Sequence, residues 1–410
     1  MKVFGIKLYP TYKEILENNW KEAHREVTKC LTSWNTRVLN SVFQRVDVLN
    51  IFVLPKLWYK AETLPLPPAW AAEFEKLVYA FVKKGKMEML ALQELCNPRE
   101  KGGLGVICIR STADSLFLKQ TLRMLCMPGS LQYKYIQYFA GKNLKIADLY
   151  TGKHCPVFTP YYQHMVELYK EGVVMELCLY CCIDKDCKDN KLKATAKEIY
   201  AAYTDTFPPP RVEYKEQFML VTGVQWQRVW DRVASTMLDP MARETMWRAV
   251  NNILPTRERQ FRLQLRDLPA ENEIVGRQVR NNLCKRCALR KTDDVTHMFT
   301  ECGLVREAWC WTRRRMLDLL PDDMMDLSNF ELVHLLFPKE LMERELVWVL
   351  GTYMGWVYEQ AVLRGRVLTD AHVRGYMRYQ YYETLVKKMP GVGYISDITV
   401  SQNLVFDDNG

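Results

Sequence analysis

Apolar residues recur along most of this 410-residue chain with the spacing of amphipathic helices. Beyond Glu17 they fall at steps of three and four as far as Val38, which places them on one helical face. Only residues 1–10 alternate as a short strand does. Further helices are predicted over residues 46–54, 70–82, 113–126, 224–237, 247–254, 305–320, 329–336, 340–363 and 370–388. We therefore predict a mainly α, multi-domain helical protein.

Proline punctuates this pattern most strongly at Thr206-Phe-Pro-Pro-Pro210. Three consecutive prolines bring no amide hydrogens to a helix or sheet, so we predict a hinge there. No internal repeat is visible. The predicted regions are a helical region over 1–126, a connector over 127–212, a metal-binding segment over 213–335 and a helical C-terminal region over 336–410.

Composition narrows the class of protein without fixing its function. A hydrophobic content of 48% and a charged content of 26% are typical of globular domains, and a net charge of +9 mildly favours a polyanionic partner. The 13 cysteines are an odd number and no signal peptide is recognisable, which favours an intracellular, reducing setting without disulfides. The longest apolar run, residues 346–354, is too short to cross a bilayer, so we expect no membrane association.

The clearest chemical pattern is C-x2-C-x9-H-x4-C, formed by Cys284, Cys287, His297 and Cys302. Three thiolates and one imidazole complete a tetrahedral Zn²⁺ site with no open position, which is typical of a structural ion. The chain has only 6 histidines, and this one stands between cysteines at ligand spacing. We predict one structural zinc at a small CCHC element. A site that no longer holds metal is the alternative.

Basic residues surround this pattern. Two lie between the first two cysteines, so a bound metal would hold them on a rigid turn, and phosphate contacts of this kind give affinity without base specificity. Trp309 and Trp311 are either a stacking surface for unpaired bases or helix-core residues. The candidate nucleic-acid contacts are Arg257, Arg259, Arg277, Arg280, Lys285, Arg286, Arg290, Lys291, Arg313, Arg314 and Arg315.

Several short motifs follow one another along the chain in a characteristic order. They are Trp34-x-x-Arg37, Arg45 to Asn50, Val53 to Tyr59, Pro65 to Trp70, Lys101 to Val106, Trp247-Arg248, Leu254 to Arg257 and Glu307 to Trp309. In this order they resemble LINE-type (non-LTR) retrotransposon reverse transcriptases. The first half is similar to the thumb that follows the polymerase palm, and the second half to the C-terminal segment that carries the CCHC residues. The resemblance implies contacts with RNA or with a primer–template duplex, and of the two compartments considered, nucleus and cytoplasm, it favours the nucleus.

The family's catalytic centre has no counterpart in this sequence. That centre is an aromatic-Ala-Asp-Asp turn plus an upstream aspartate, which together hold two metal ions. The Asp-Asp pairs at 293–294, 322–323 and 407–408 do not follow an aromatic-Ala pair, and residues 4–6 resemble the end of the palm. We therefore predict no polymerase activity and no catalytic residues.

The leading hypothesis is a catalytically incomplete reverse-transcriptase remnant that binds RNA or DNA through a zinc-organised basic surface. A helical protein–protein scaffold with a purely structural zinc is one alternative. A fragment that is active only with a separate palm-bearing chain is another. Binding that weakens steeply with salt would favour the first hypothesis over the scaffold.

Overall fold

The computed structural model describes twelve stretches of the chain, and within them the mainly α prediction is confirmed. They contain fourteen α-helices and one two-stranded antiparallel sheet. The predicted hinge at 206–210 lies outside the described residues. The described stretches are residues 2–3, 5–39, 41–84, 90–125, 129–131, 134, 195–204, 225–235, 237–266, 281–318, 327–337 and 343–381.

The chain divides into two compact units, and each is described below by itself. Unit 1 comprises Met1–Lys86, Ala91–Pro98 and Gly103–Pro209, and unit 2 comprises Met87–Leu90, Arg99–Gly102 and Pro210–Gly410. The four-region division drawn from the sequence stays a prediction.

In its described residues, unit 1 begins with a small hairpin and continues as helices. The predicted single strand is wrong, because Gly5, at φ 79°, turns the chain back after two residues. The elements are β1 Lys2–Val3, β2 Ile6–Lys7, α1 Tyr12–Asn35, α2 Val42–Val48, α3 Pro55–Ala61, α4 Pro68–Lys83, α5 Leu92–Cys96, α6 Ile109–Leu125 and α7 Ala196–Thr204.

Helix α1 starts where its cap dictates rather than where its apolar stripe begins. The Thr11 side chain accepts a hydrogen bond from the Glu14 amide, and the Glu14 side chain accepts one from the Thr11 amide. This capping box satisfies two amides that have no partner within the helix. Trp20 lies on the buried face of α1 and donates a 3.0 Å hydrogen bond to the Pro65 carbonyl.

Pro55 was predicted to end a helix, and instead it opens one. Helix α2 passes into a π-helical turn over Leu49–Val53, and Pro55 then occupies the first turn of α3. A proline is tolerated there because amides of the first turn have no intrahelical acceptor.

The described residues of unit 2 are also mostly helical, and they include two π-helical turns, His297–Glu301 and Tyr358–Leu363. A short 3-10 turn, Arg99–Lys101, belongs to it as well. Its helices are α8 Trp226–Val233, α9 Pro240–Val250, α10 Arg257–Arg266, α11 Arg306–Leu317, α12 Asn329–Val333, α13 Glu343–Val357 and α14 Asp370–Tyr381.

The core of unit 2 is centred on α9 and α13, which pack closely. Gly355 on α13 faces Ala242 on α9, and a Cβ atom at Gly355 would lie 2.8 Å from the Ala242 Cα atom. Helix α9 begins well before the predicted Trp247, because the Asp239 side chain caps it by accepting from the Met241 and Ala242 amides at 2.7 and 3.1 Å. The cap therefore extends the apolar face that meets α13.

Candidate metal centre

Two cysteines of the centre lie on a tight turn at the end of a small hairpin. Leu283 and Thr292 form an antiparallel bridge, and the Cys284 amide donates to the Lys291 carbonyl at 2.9 Å. The hairpin fixes both ends of the intervening loop, so Cys284 and Cys287 face one point.

The other two ligands come from the π-helical turn over His297–Glu301. The His297 amide donates to the Asp294 side chain at 2.7 Å, and the Cys302 amide donates to the His297 carbonyl at 2.9 Å. This last bond joins residues five apart, which is the hydrogen-bond step of a π-helix. The wider turn explains how a five-residue separation brings His297 and Cys302 to one side.

The four side chains form a compact donor set. Their sulfur and nitrogen atoms all lie within 4.8 Å of one another, and the Cys287 Sγ and His297 Nε2 atoms are 3.4 Å apart. Zn–S and Zn–N bonds of about 2.3 and 2.0 Å in a tetrahedron separate ligand atoms by about 3.5 to 3.8 Å. Three of the four residues are buried. The cluster can therefore hold a metal ion, and the donor types fit zinc.

The protonation of these groups differs with their surroundings. Burial raises the pKa of Cys302 to about 12. Burial also acts to raise the pKa of Cys287, but hydrogen bonds from the Gly303 and Leu289 backbone outweigh it and leave that pKa lowered. Burial lowers the pKa of His297, which keeps its imidazole neutral. A neutral imidazole and thiolates are the forms that bind metal, so binding must displace protons from the cysteines.

Asp293 connects the turn to helix α10. Its buried carboxylate accepts a hydrogen bond from the Arg286 guanidinium and another from the Arg257 amide at 3.2 Å. Its carbonyl also accepts from the Glu258 amide at 3.4 Å. A carboxylate at a helix N-terminus satisfies amides of the first turn and favours the helix dipole. The Asp293 side chain therefore links the turn that carries Cys284 and Cys287 to the start of α10.

The predicted basic residues fall into two groups. Arg259 is buried with its guanidinium on the Ile253 carbonyl, and Arg286 points inward to Asp293. Arg257 and Arg313 donate to the carbonyls of Asn281 and Leu327 at 3.2 and 3.0 Å. Arg315 pairs with Asp318 at 3.4 Å. The exposed group consists of Lys285, Arg290, Lys291 and Arg314, whereas Arg277 and Arg280 lie outside the described residues.

The stacking surface considered for Trp309 and Trp311 is wrong, because both indoles are buried. Trp309 donates to the Asn329 side chain at 3.0 Å and packs against the Tyr353 ring at 5.4 Å. Both tryptophans of α11 therefore belong to the core and offer no stacking surface. Any contact with nucleic acid would have to use the exposed charged side chains instead.

Three supporting residues were not predicted from the sequence. Besides Asp293, Tyr353 donates to the Phe299 carbonyl at 2.7 Å and so anchors the π-helical turn to α13. Glu301 accepts from Lys291 at 2.9 Å and lies 3.8 Å from His297 Nδ1. The one available signal was that Asp293 is the first acid after the basic run. No sequence pattern pointed to Tyr353, because its hydrogen bond to the Phe299 carbonyl joins residues that only the fold brings together.

No protein-family model matches the chain. In the part of the chain that the structure describes, none of the helices combines the length and apolarity needed to cross a membrane.

Proposed function

We propose that the chain binds one structural Zn²⁺ through Cys284, Cys287, His297 and Cys302, and that the metal-held turn binds nucleic acid. The polyanion is RNA or DNA, contacted through its phosphates. On this proposal the chain is a reverse-transcriptase-like protein without polymerase activity. The resemblance of its thumb-like and CCHC-containing stretches supports that assignment.

One observation carries the nucleic-acid proposal: the exposed cations of the turn stand on a backbone that the ligand set fixes. Lys285 lies between two of the ligands, and Arg290 and Lys291 close the same hairpin. Lys291 also reaches Glu301, but an ion pair between exposed side chains is worth little and yields readily to a phosphate. Cations on a rigid support lose little entropy when they bind.

The inward-facing cations serve the turn itself. Arg286 neutralises the buried Asp293 carboxylate, so its loss would leave a buried charge without its partner. Phosphate contact is therefore assigned to Lys285, Arg290 and Lys291, with Arg314 as a further exposed cation of α11. Arg286 and Arg259 are assigned to support.

The absence of polymerase activity is part of the proposal. The Asp293 carboxylate already accepts hydrogen bonds from Arg286 and from the Arg257 amide at the start of α10. The Asp-Asp pairs at 322–323 and 407–408 lie outside the described residues. The purified chain, given primer–template, nucleotides and Mg²⁺, is expected to add no nucleotide.

The decisive experiment is a salt titration of nucleic-acid binding by a double variant. Lys285→Ala with Arg290→Ala removes two phosphate contacts and no metal ligand. On duplex DNA the log–log salt slope should become flatter by about two units, and affinity should fall alike for scrambled and native-like sequences. Zinc content should stay at the parent's value.

The matched control removes two exposed charges elsewhere in unit 2, with Arg344→Ala and Arg366→Ala. It changes the net charge by the same amount but removes no proposed phosphate contact. The salt slope should therefore stay nearly unchanged. A Lys285/Arg290 variant that keeps its zinc and binds as the parent does would contradict the nucleic-acid proposal. That result would favour the protein–protein scaffold.

A further inference from the structure

Unit 1 contains a second thiol site, distant in sequence from the CCHC element. Cys96 ends α5 and Cys108 immediately precedes α6, and both line a cavity of about 190 Å³. The connecting loop folds back on itself, since the amides of Leu104 and Val106 both donate to the Leu95 carbonyl at 3.0 and 3.2 Å. The backbone thus holds the two cysteines side by side.

The contacts of the pair are asymmetric. The Cys108 sulfur accepts a hydrogen bond from the Ser111 hydroxyl at 3.2 Å, and the Cys96 thiol lies beside the same sulfur in the cavity that both cysteines line. The Cys108 amide donates to the Tyr200 hydroxyl on α7 at 3.2 Å, which fixes the backbone at this point. A hydrogen bond donated to a sulfur stabilises its thiolate form.

The protonation of the two thiols follows from this arrangement. Interaction with the Cys96 thiol and hydrogen bonds involving Ser111 outweigh burial and lower the pKa of Cys108 to about 6. The same interaction, with burial, raises the pKa of Cys96. Glu75 on α4 also lines the cavity and acts to raise the pKa of both thiols, and Arg110 stands beside it. One thiolate and one thiol therefore share the cavity.

We propose that Cys96 and Cys108 are a redox-active dithiol, in which a peroxide admitted to the cavity oxidises Cys108 and Cys96 then closes a disulfide. The cavity admits a small oxidant, and Cys96 is the thiol that already lies beside the sulfur that is attacked. Low-pKa thiols beside a second cysteine are the usual sites of such chemistry.

The chemistry balances in two steps. The Cys108 thiolate attacks one peroxide oxygen, so an S–O bond forms, the O–O bond breaks, and the departing hydroxide takes a proton to become water. Cys108 is then a sulfenic acid. The Cys96 sulfur attacks the Cys108 sulfur, the S–S bond forms, the S–O bond breaks, and the Cys96 proton leaves with the oxygen as a second water. The two sulfurs lose two electrons, which the peroxide accepts.

The test treats the folded, zinc-loaded chain with hydrogen peroxide and follows each cysteine by alkylation and peptide mass mapping. Cys30 and Cys310 serve as internal controls, since both are free thiols in the described residues. A thiolate with a lowered pKa gains in population but loses some nucleophilicity, so Cys108 should react about threefold faster than the controls at pH 7 and about tenfold faster at pH 6. The product should be a Cys96–Cys108 disulfide that a dithiol reductant reverses.

Variants separate the two roles. Cys96→Ser should accumulate a Cys108 sulfenic acid that dimedone traps, and Cys108→Ser should leave Cys96 unoxidised. Ser111→Ala should slow the oxidation of Cys108 while preserving the disulfide as product. The proposal is overturned if Cys108 in the unmodified chain reacts no faster than Cys30 and Cys310, or if Cys96 pairs with a different cysteine.

Discussion

Unit 2 contains two regions that are stabilised in different ways. Helices α9 and α13 interlock through apolar side chains, and Gly355 brings the two backbones within contact distance. The CCHC turn and its π-helical partner, residues 284–302, are organised instead around four ligand atoms and the Asp293 network. The first region gains its stability from close packing, and on the proposal made above the second gains much of its own from a bound metal ion.

This difference bears on function. A packed helix pair can present only what covers its core, whereas a turn held by metal ligands needs few apolar side chains and can expose charged ones. Lys285, Arg290 and Lys291 are exposed on the turn for which we propose a metal. A turn ordered by metal ligands can therefore hold several cations in a fixed arrangement with few apolar side chains of its own.

Removing the metal should affect the two regions most unequally. With a strong chelator, the amides of Cys284, Asp293 and Cys302 should lose their protection from hydrogen exchange, because the ligands that hold their hydrogen bonds in place are released. Amides of α9 and α13 should exchange as before. The measurement is hydrogen exchange with peptide-resolved mass spectrometry, and readdition of zinc should restore the protection. An equal loss of protection in residues 284–302 and in α9 and α13 would contradict the view that the two regions are stabilised differently.

Acid should lower the free energy of unfolding through His334, a buried residue at the C-terminal end of α12. Full burial lowers the pKa of His334 to about 4, against about 6.5 in an unfolded chain. Below pH 6.5 the unfolded chain therefore takes up a proton that the folded chain does not, so the free energy of unfolding falls as pH falls from 6.5 to 4. The full loss is about 3 kcal/mol.

Urea denaturation at several pH values measures this loss, and chelated protein is used so that no metal is released on unfolding. A His334→Gln variant has no titrating group at this position, and its free energy of unfolding should decline less over the same interval. Parallel curves for the two proteins would show that His334 does not carry the effect.

A smaller effect is expected where the helices approach most closely. Gly355→Ala places a methyl group 2.8 Å from the Ala242 Cα atom, a backbone position that cannot move aside, and should lower the free energy of unfolding by about 2 kcal/mol. The control is Gly375→Ala on α14, where the methyl group meets nothing within 4 Å and should stabilise the helix by about 0.5 to 1 kcal/mol. Equal effects of the two substitutions on thermal unfolding would exclude the close contact.

The sequence predicted elements better than their junctions. Apolar periodicity located α1, α4, α6 and α11, because one buried face repeats every turn. It did not predict the π-helical turns or the opening of α3 at Pro55, since these depend on where neighbouring side chains find space. Caps such as Asp239 also moved helix starts away from the apolar stripe.

The ligand set could be predicted from spacing, whereas the roles of the surrounding charges could not. Cys284, Cys287, His297 and Cys302 come together as the pattern required. Which arginines face solvent depended on Asp293 and on backbone carbonyls, and one of these, the Asn281 carbonyl, lies 24 residues along the chain from the Arg257 side chain that it accepts from. A run of basic residues in the sequence identifies a charged segment. Only the fold shows which of these side chains face solvent and which bond to groups within the protein.

The proposal on which the nucleic-acid contacts rest is that these four residues hold one zinc ion. It is tested by elemental analysis of protein purified without added metal, combined with native mass spectrometry. We expect one zinc per chain, and less than stoichiometric zinc in a Cys302→Ser variant. Folded protein that carries no metal and takes up none when zinc is supplied would show that the four residues are not a zinc site.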